Sequence, residues 1–194
     1  MSRFISTKRL SPTEAVSVLA LRSKGVADDA QLMPLVSRMV LAGARPTTIT
    51  RLTGMPFEAV RRMWKRERGY LPVGLIPTSV LTLTRTRQQR LECAILVHFF
   101  EQIYAHERAL DMRTLVESYS LYTDAVGPQA KVPIDGALSV LESYVKGHVW
   151  LCPCSACCVS VLCGLAALRQ SPVRDACPTC ATRMPSVRPP PPAN

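Results

Sequence analysis

Histidine is scarce in this chain: His98, His106 and His148 are all there is. They make no metal-ligand pattern among themselves. No Ser/His/Asp grouping, paired-carboxylate arrangement or glycine-rich phosphate loop is found either, so nothing argues for an enzyme. Long apolar runs are also missing. The longest, Cys93 to Phe100 and Val161 to Leu168, fall far short of a bilayer span. The N-terminal stretch combines positive charge with a short apolar segment, but Glu14 interrupts it and Arg22 and Lys24 close it. With no small-residue cleavage site following, it does not read as a signal peptide. A cytoplasmic protein with reduced cysteines is expected, with no membrane partner.

Acidic residues are outnumbered, 14 against 24 Lys and Arg, giving a formal net charge of +10 over 194 residues. Such a surplus favours polyanions, of which nucleic acid is the commonest inside cells. It is also uneven. Residues 1–70 hold thirteen Lys and Arg against five Asp and Glu, whereas the remainder holds eleven against nine. The anion-binding surface is therefore expected in the first third. A hydrophobic fraction of 47% with 20% charged residues is globular, and a helical core of this size needs no disulfides.

Ser11-Pro12-Thr13-Glu14 forms a capping box for a helix over 11–24. Leu32, Leu35, Val36, Met39 and Val40 recur at helical spacing, predicting a helix over 28–42. Pro34 either kinks it or moves its start to Met33. Gly43 ends it. A short helix is then expected over 46–52, a turn at 53–55 and a second helix over 56–68, with Gly54 at the left-handed turn position. A linker rich in proline and glycine covers 69–79. A long helix from Val80 or Thr86 to His106 follows, with Leu91, Ile95, Phe99 and Ile103 as its buried stripe and His98 as a core histidine. Two more helices are expected, over 112–122 and 134–146. The fold class is thus mainly α.

The 56–68 helix carries Arg61, Arg62, Lys65, Arg66 and Arg68, opposed only by Glu58 and Glu67. Positions 61, 65 and 68 share one face, as do 62 and 66. Ala59, Val60 and Met63 can face inward with Ile49 and Leu52. Such a helix-turn-helix-like unit can lie in a DNA major groove while Arg45, Thr47 and Thr48 reach phosphates. The plainer reading is a solvated basic face.

Seven of the eight cysteines fall between Cys152 and Cys180. Cys154 and Cys157, then Cys177 and Cys180, match the pattern of two C-x2-C pairs that hold zinc. Two cysteines three apart on a tight turn aim both sulfurs at one ion, and two such turns complete a tetrahedral, closed, structural shell. Cys152, Cys158 and Cys163 offer other registers. Using Cys158 breaks the two-residue spacing, so Cys154 and Cys157 are preferred, with His148 as a second-choice ligand. A redox pair at Cys177 and Cys180, or an iron–sulfur cluster, are the competing readings. Cys93, within an apolar helix, reads as a core residue. The chain then divides into a helical body over 1–148, a zinc-ribbon-like element over 149–184 and a disordered proline-rich tail over 185–194.

In order and spacing, several segments resemble the FlhC family of flagellar transcriptional activators. They are Leu-Ala-Gly-Ala-Arg (41–45), Lys-Arg-Glu-Arg-Gly-Tyr with the following Leu-Pro-Val-Gly-Leu-Ile-Pro-Thr-Ser (65–79), Ser-Tyr-Ser-Leu-Tyr (118–122) and the two cysteine pairs. The likeness runs from about residue 28 to 184. It implies an activator that works with FlhD in a hetero-oligomer, binds promoters of flagellar genes and recruits RNA polymerase. It also implies one structural zinc per chain, on ligands corresponding to Cys154, Cys157, Cys177 and Cys180. Two other classes stay open: a redox-responsive zinc and thiol protein, and a zinc-stabilised protein–protein adaptor without a DNA role.

Overall fold

The computed structural model describes residues 29–182 except 75, 77, 108 and 165–175. The helix expected over 11–24 and the tail over 185–194 lie outside the described residues. Seven α-helices and one two-stranded sheet make up the described fold, which is mainly α as the periodicities predict.

Helix α1 spans Asp29–Leu41, with Pro34 inside it, so the later start at Met33 is not used. Its Val36, Met39 and Val40 are fully buried. Gly43 takes φ 86° and turns the chain. Helix α2 covers Pro46–Thr53, with proline at its first position. Thr53 bonds back to the Ile49 carbonyl, and its oxygen accepts the Met55 N–H, closing the turn. Gly54 sits there in the left-handed region. Helix α3 runs Phe57–Arg68. It packs on both α1 and α2, chiefly through Val60 and Trp64, which with Ile49 are buried to within 2%.

Of the two starts expected for the long helix, the later, at Thr86, is the one used, and a separate short helix precedes it. Helix α4 covers only Val80–Leu83, and α5 spans Arg87–Glu107. Thr86 explains the break. Its hydroxyl accepts the Gln89 N–H while the Gln89 side chain accepts the Thr86 N–H, a reciprocal cap that starts a new helix.

The stripe of α5 requires a correction. Leu91, Ile95, Phe99 and Ile103 are only half-buried, and the deep row is Cys93, Leu96, Val97 and Phe100. The reason is that α5 is gripped from two sides. It packs on α6 (Met112–Val126) and also on α7 (Ile134–Val145) and the hairpin, so its buried face is wide and includes the polar Arg90 and Glu92. His98 falls outside that face. It is exposed and lies beside Phe99, not in the core.

At Glu92 the burial of charge is compensated. The Glu92 carboxylate accepts from Tyr122 Oη at 2.6 Å, the Lys131 N–H at 2.7 Å and Gln88 Nε2 at 2.9 Å. Three segments are thereby tied at one buried acceptor. Asp111 and Thr114 form a capping box at the start of α6.

After α7, β1 (Val149–Pro153) pairs antiparallel with β2 (Ser160–Gly164). The period of two splits the hairpin's side chains. Val149, Leu151 and Leu162 join the helical core, while Trp150, Cys152, Val161 and Cys163 face a second small cluster with the paired cysteines. The hairpin is therefore a plate between the helices and the sulfur site.

Candidate functional site

The two C-x-x-C segments fold identically. In the first, the Cys154 N–H donates to the Val159 carbonyl at 2.9 Å and the Cys154 carbonyl accepts the Cys158 N–H at 2.9 Å. In the second, the Cys177 N–H donates to the Thr182 carbonyl at 2.8 Å and the Cys177 carbonyl accepts the Ala181 N–H at 3.0 Å. Cys158 and Ala181 occupy the same left-handed corner, each at φ 60°. Both turns thus aim their two sulfurs the same way. The exposed Cys158 is a corner residue and no part of the sulfur cluster.

All four sulfurs of Cys154, Cys157, Cys177 and Cys180 lie within 4.8 Å of one another. Cys154 and Cys180 stand 3.6 Å apart, as do Cys157 and Cys177. A tetrahedral zinc with Zn–S bonds of about 2.3 Å requires sulfur–sulfur edges of about 3.8 Å. The donor set and its spacing therefore fit one tetrahedral soft ion.

Their electrostatics are those of a shared-proton cluster. The Thr182 hydroxyl and backbone N–H lower the Cys180 thiol to about 6. Burial raises Cys177, but the N–H groups of Cys180 and Thr179 outweigh it and bring it below the ordinary thiol value. At Cys157 the Val159 backbone pulls down, yet desolvation and the other three thiols push it up to about 12. Cys177 and Cys180 thus ionise more readily than an ordinary thiol, and a bound ion would displace whatever protons the four sulfurs keep.

Other candidates are not brought in. Cys152 and Cys163 lie on the hairpin face behind the cluster, His148 is exposed, and Cys93 is buried in the helical core with its thiol donating to the Leu83 carbonyl. Sequence reasoning missed Arg90, whose side chain is 96% shielded from solvent. Its Nε donates to the Leu162 carbonyl at 3.1 Å and its Nη1 to the Ala176 carbonyl at 3.3 Å. One guanidinium therefore ties strand β2 and the residue that leads into the second cysteine turn to α5, a role that helix periodicity gives no sign of.

The basic helix α3 divides into two sets. Arg61, Arg62, Lys65 and Arg66 are exposed. Arg61 lies 3.6 Å from Glu58 and Arg66 2.9 Å from Glu67, open pairs of little energetic weight. No ion pair among the described residues engages Arg62 or Lys65. Arg68 behaves differently. It donates to the Leu41 carbonyl and to Tyr70 Oη and lies over the Trp64 and Tyr70 rings. Arg45 is likewise engaged, its side chain bonding the Gly74 carbonyl. Thr47 is exposed and Thr48 half-buried at the start of α2. Trp64, also missed from the sequence, anchors α3 by donating Nε1 to the Ala44 carbonyl at 2.6 Å.

No helix among the described residues is long and apolar enough to cross a membrane. No curated protein matches the chain. The family model described as flagellar transcriptional activator (FlhC) matches residues 21–184. That span takes in the basic helix, the helical core and both cysteine turns, and the chain belongs to the FlhC family, a family of transcription regulators and not of enzymes.

Proposed function

We propose that this protein is a DNA-binding activator of flagellar genes, acting in a hetero-oligomer with FlhD that recruits RNA polymerase. One structural zinc per chain sits on Cys154, Cys157, Cys177 and Cys180. The observation that carries the DNA reading is the exposed row Arg61, Arg62, Lys65 and Arg66 on a helix whose other face is pinned by Trp64. A rigid helix with exposed cations on one side suits a phosphate-lined groove, and the turn at 54–56 gives α2 and α3 a helix-turn-helix-like connection. Thr47 and Thr48 at the start of α2 are the proposed phosphate neighbours. Arg45 and Arg68 belong to the same surface, with their guanidinium groups partly committed to holding it together.

The zinc supplies no reaction here. Bound, it cross-links two turns that otherwise have only a small cluster and the Arg90 hydrogen bonds near them to hold them. The exposed apolar side chains of Leu41, Tyr70, Val73, Leu81 and Leu121 support a partner subunit, since such groups gain by being covered.

The test is titration of promoter DNA by fluorescence anisotropy, with the partner present, across a salt series. Arg62→Ala with Lys65→Ala should weaken binding and reduce the slope of log K against log salt by about 2, near 0.9 for each phosphate no longer neutralised. An unchanged slope removes α3 as the DNA-contacting helix and favours the adaptor reading.

A further inference from the structure

Arg90 is a charged residue at a place where an apolar one would serve for packing. It lies in the first turn of α5 and is 4% exposed, on the same side of the helix as the buried Cys93, Ala94 and Val97. A guanidinium taken out of water is costly to keep unless its donors find acceptors. Here two donors of one planar group reach two different segments. Nε meets the Leu162 carbonyl of β2 at 3.1 Å, and Nη1 meets the Ala176 carbonyl at 3.3 Å.

Those two segments carry the two halves of the sulfur site. The first turn is the loop of the hairpin. Cys154 directly follows β1, Val159 directly precedes β2, and the Cys154 N–H bonds the Val159 carbonyl. The β1–β2 ladder therefore fixes that half. The second turn lies outside this ladder and begins at Cys177, directly after Ala176. The carbonyl that Arg90 holds belongs to the same rigid peptide unit as the Cys177 N–H. That N–H donates to the Thr182 carbonyl at 2.8 Å. One peptide plane is thus clamped at both ends, by Arg90 on its carbonyl side and by the turn itself on its N–H side. Its orientation decides whether the Cys177 and Cys180 sulfurs meet those of Cys154 and Cys157.

We propose that Arg90 is the positioning residue of the metal site. Its fork sets the second cysteine turn against the hairpin, so the grip on the ion and the hold of α5 on both segments are coupled. The proposal rests on zinc being bound by Cys154, Cys157, Cys177 and Cys180. Arg90 acts on these ligands through the backbone, as an outer partner that orients them. The planar fork is what matters: a lysine keeps the positive charge, but its compact ammonium on a flexible stem does not reproduce two donors fixed at an angle. Coupling of this kind is reciprocal, so the ion should also strengthen the hold of Arg90 on the two carbonyls.

Zinc affinity of the full-length protein, measured by competition with a chromogenic chelator, tests this in the parent, Arg90→Gln, Arg90→Lys and Glu92→Gln. The last is the matched control. It alters a buried polar tie two residues along the same helix, one that reaches Tyr122 and Lys131 and not the hairpin. The parent and Glu92→Gln should hold zinc equally well, whereas both Arg90 variants should bind it about 10- to 100-fold more weakly. A parent that binds no zinc removes the metal reading and the proposal with it. If the parent binds zinc and Arg90→Gln binds it as tightly, the proposal alone is overturned. Full affinity in Arg90→Lys also overturns it, because charge and not the fork would then be responsible. An equal loss in Glu92→Gln overturns it too, since Arg90 would be a general prop of α5. Should the Arg90 variants fail to fold, the parent still decides. Exchange of the Arg90 Nε–H with solvent, followed by NMR, should be slow with zinc bound and faster once zinc is chelated. Equal exchange in the two states would show that the ion and Arg90 are uncoupled and would overturn the proposal.

Discussion

The Asp135 carboxylate accepts the backbone N–H of Arg45 through both oxygens, each at 3.3 Å. Arg45 is the residue that opens α2, and Asp135 stands in the first turn of α7. One buried carboxylate thus serves the positive ends of two helices and fixes the basic unit on the helical body. Asp135→Ala removes this acceptor from a site water does not reach. It should cost about 1–3 kcal/mol in urea unfolding, and Asp135→Asn should cost less because an amide oxygen still accepts. Equal losses in the two variants would mean that hydrogen bonding is not what Asp135 supplies.

Trp64 makes a related attachment through a neutral group. Trp64→Phe keeps most of the buried ring but leaves the Ala44 carbonyl without its indole donor. A loss of about 1–2 kcal/mol is expected, with some loosening of α3. Amide exchange in α3 faster than in α6 would be the signature. Uniform acceleration across all helices would point instead to a general packing defect.

How much of this was legible in the sequence follows from which physics writes itself locally. The cysteine turns were legible because each is a local device, set by a two-residue spacing and a small corner. Helices α1, α2, α3, α6 and α7 were legible from caps, glycine stops and apolar spacing. The buried face of α5 was not, because periodicity finds a stripe but does not say how many neighbours a helix has. With partners on two sides, the centre of burial moved from Leu91, Ile95 and Phe99 to Cys93, Leu96 and Val97. Arg90 and Asp135 were invisible for a different reason. A charged residue signals solvent until the acceptor or donor far away in sequence is known, here Leu162 and Ala176 for Arg90 and Arg45 for Asp135.

Alkaline pH offers a test of the core that leaves the metal turns aside. Burial, and secondarily the charge of Glu92, push the Cys93 thiol from 9.0 up to about 12. A raised value means the fold binds this proton more tightly than the unfolded chain does. The resulting stability is fully present below pH 9 and is lost as pH rises from 9 towards 12. Cys93→Ala removes that dependence at the cost of a small cavity. Its stability should be lower than the parent's at pH 8 but fall less steeply over the alkaline range. Parallel pH profiles for the two proteins would show that Cys93 ionises no differently in the folded and unfolded chain.

The register of the proposed metal site can be decided by comparing five single variants. Cys154→Ser, Cys157→Ser, Cys177→Ser and Cys180→Ser each remove one sulfur from the cluster, and a three-sulfur remnant leaves both turns poorly held. Purified parent protein should carry about one zinc per chain, and each of these four should lose it together with cooperative unfolding of the hairpin. Cys158 differs, although it directly follows Cys157 of the cluster. It holds the left-handed corner at φ 60° and is exposed, so Cys158→Gly should keep the zinc and gain about 1 kcal/mol from relief of the side-chain clash at that corner. Metal analysis by mass spectrometry and thermal melts read both effects. Zinc lost from Cys158→Gly but kept in Cys157→Ser would shift the first ligand pair by one residue and break the equivalence of the two turns.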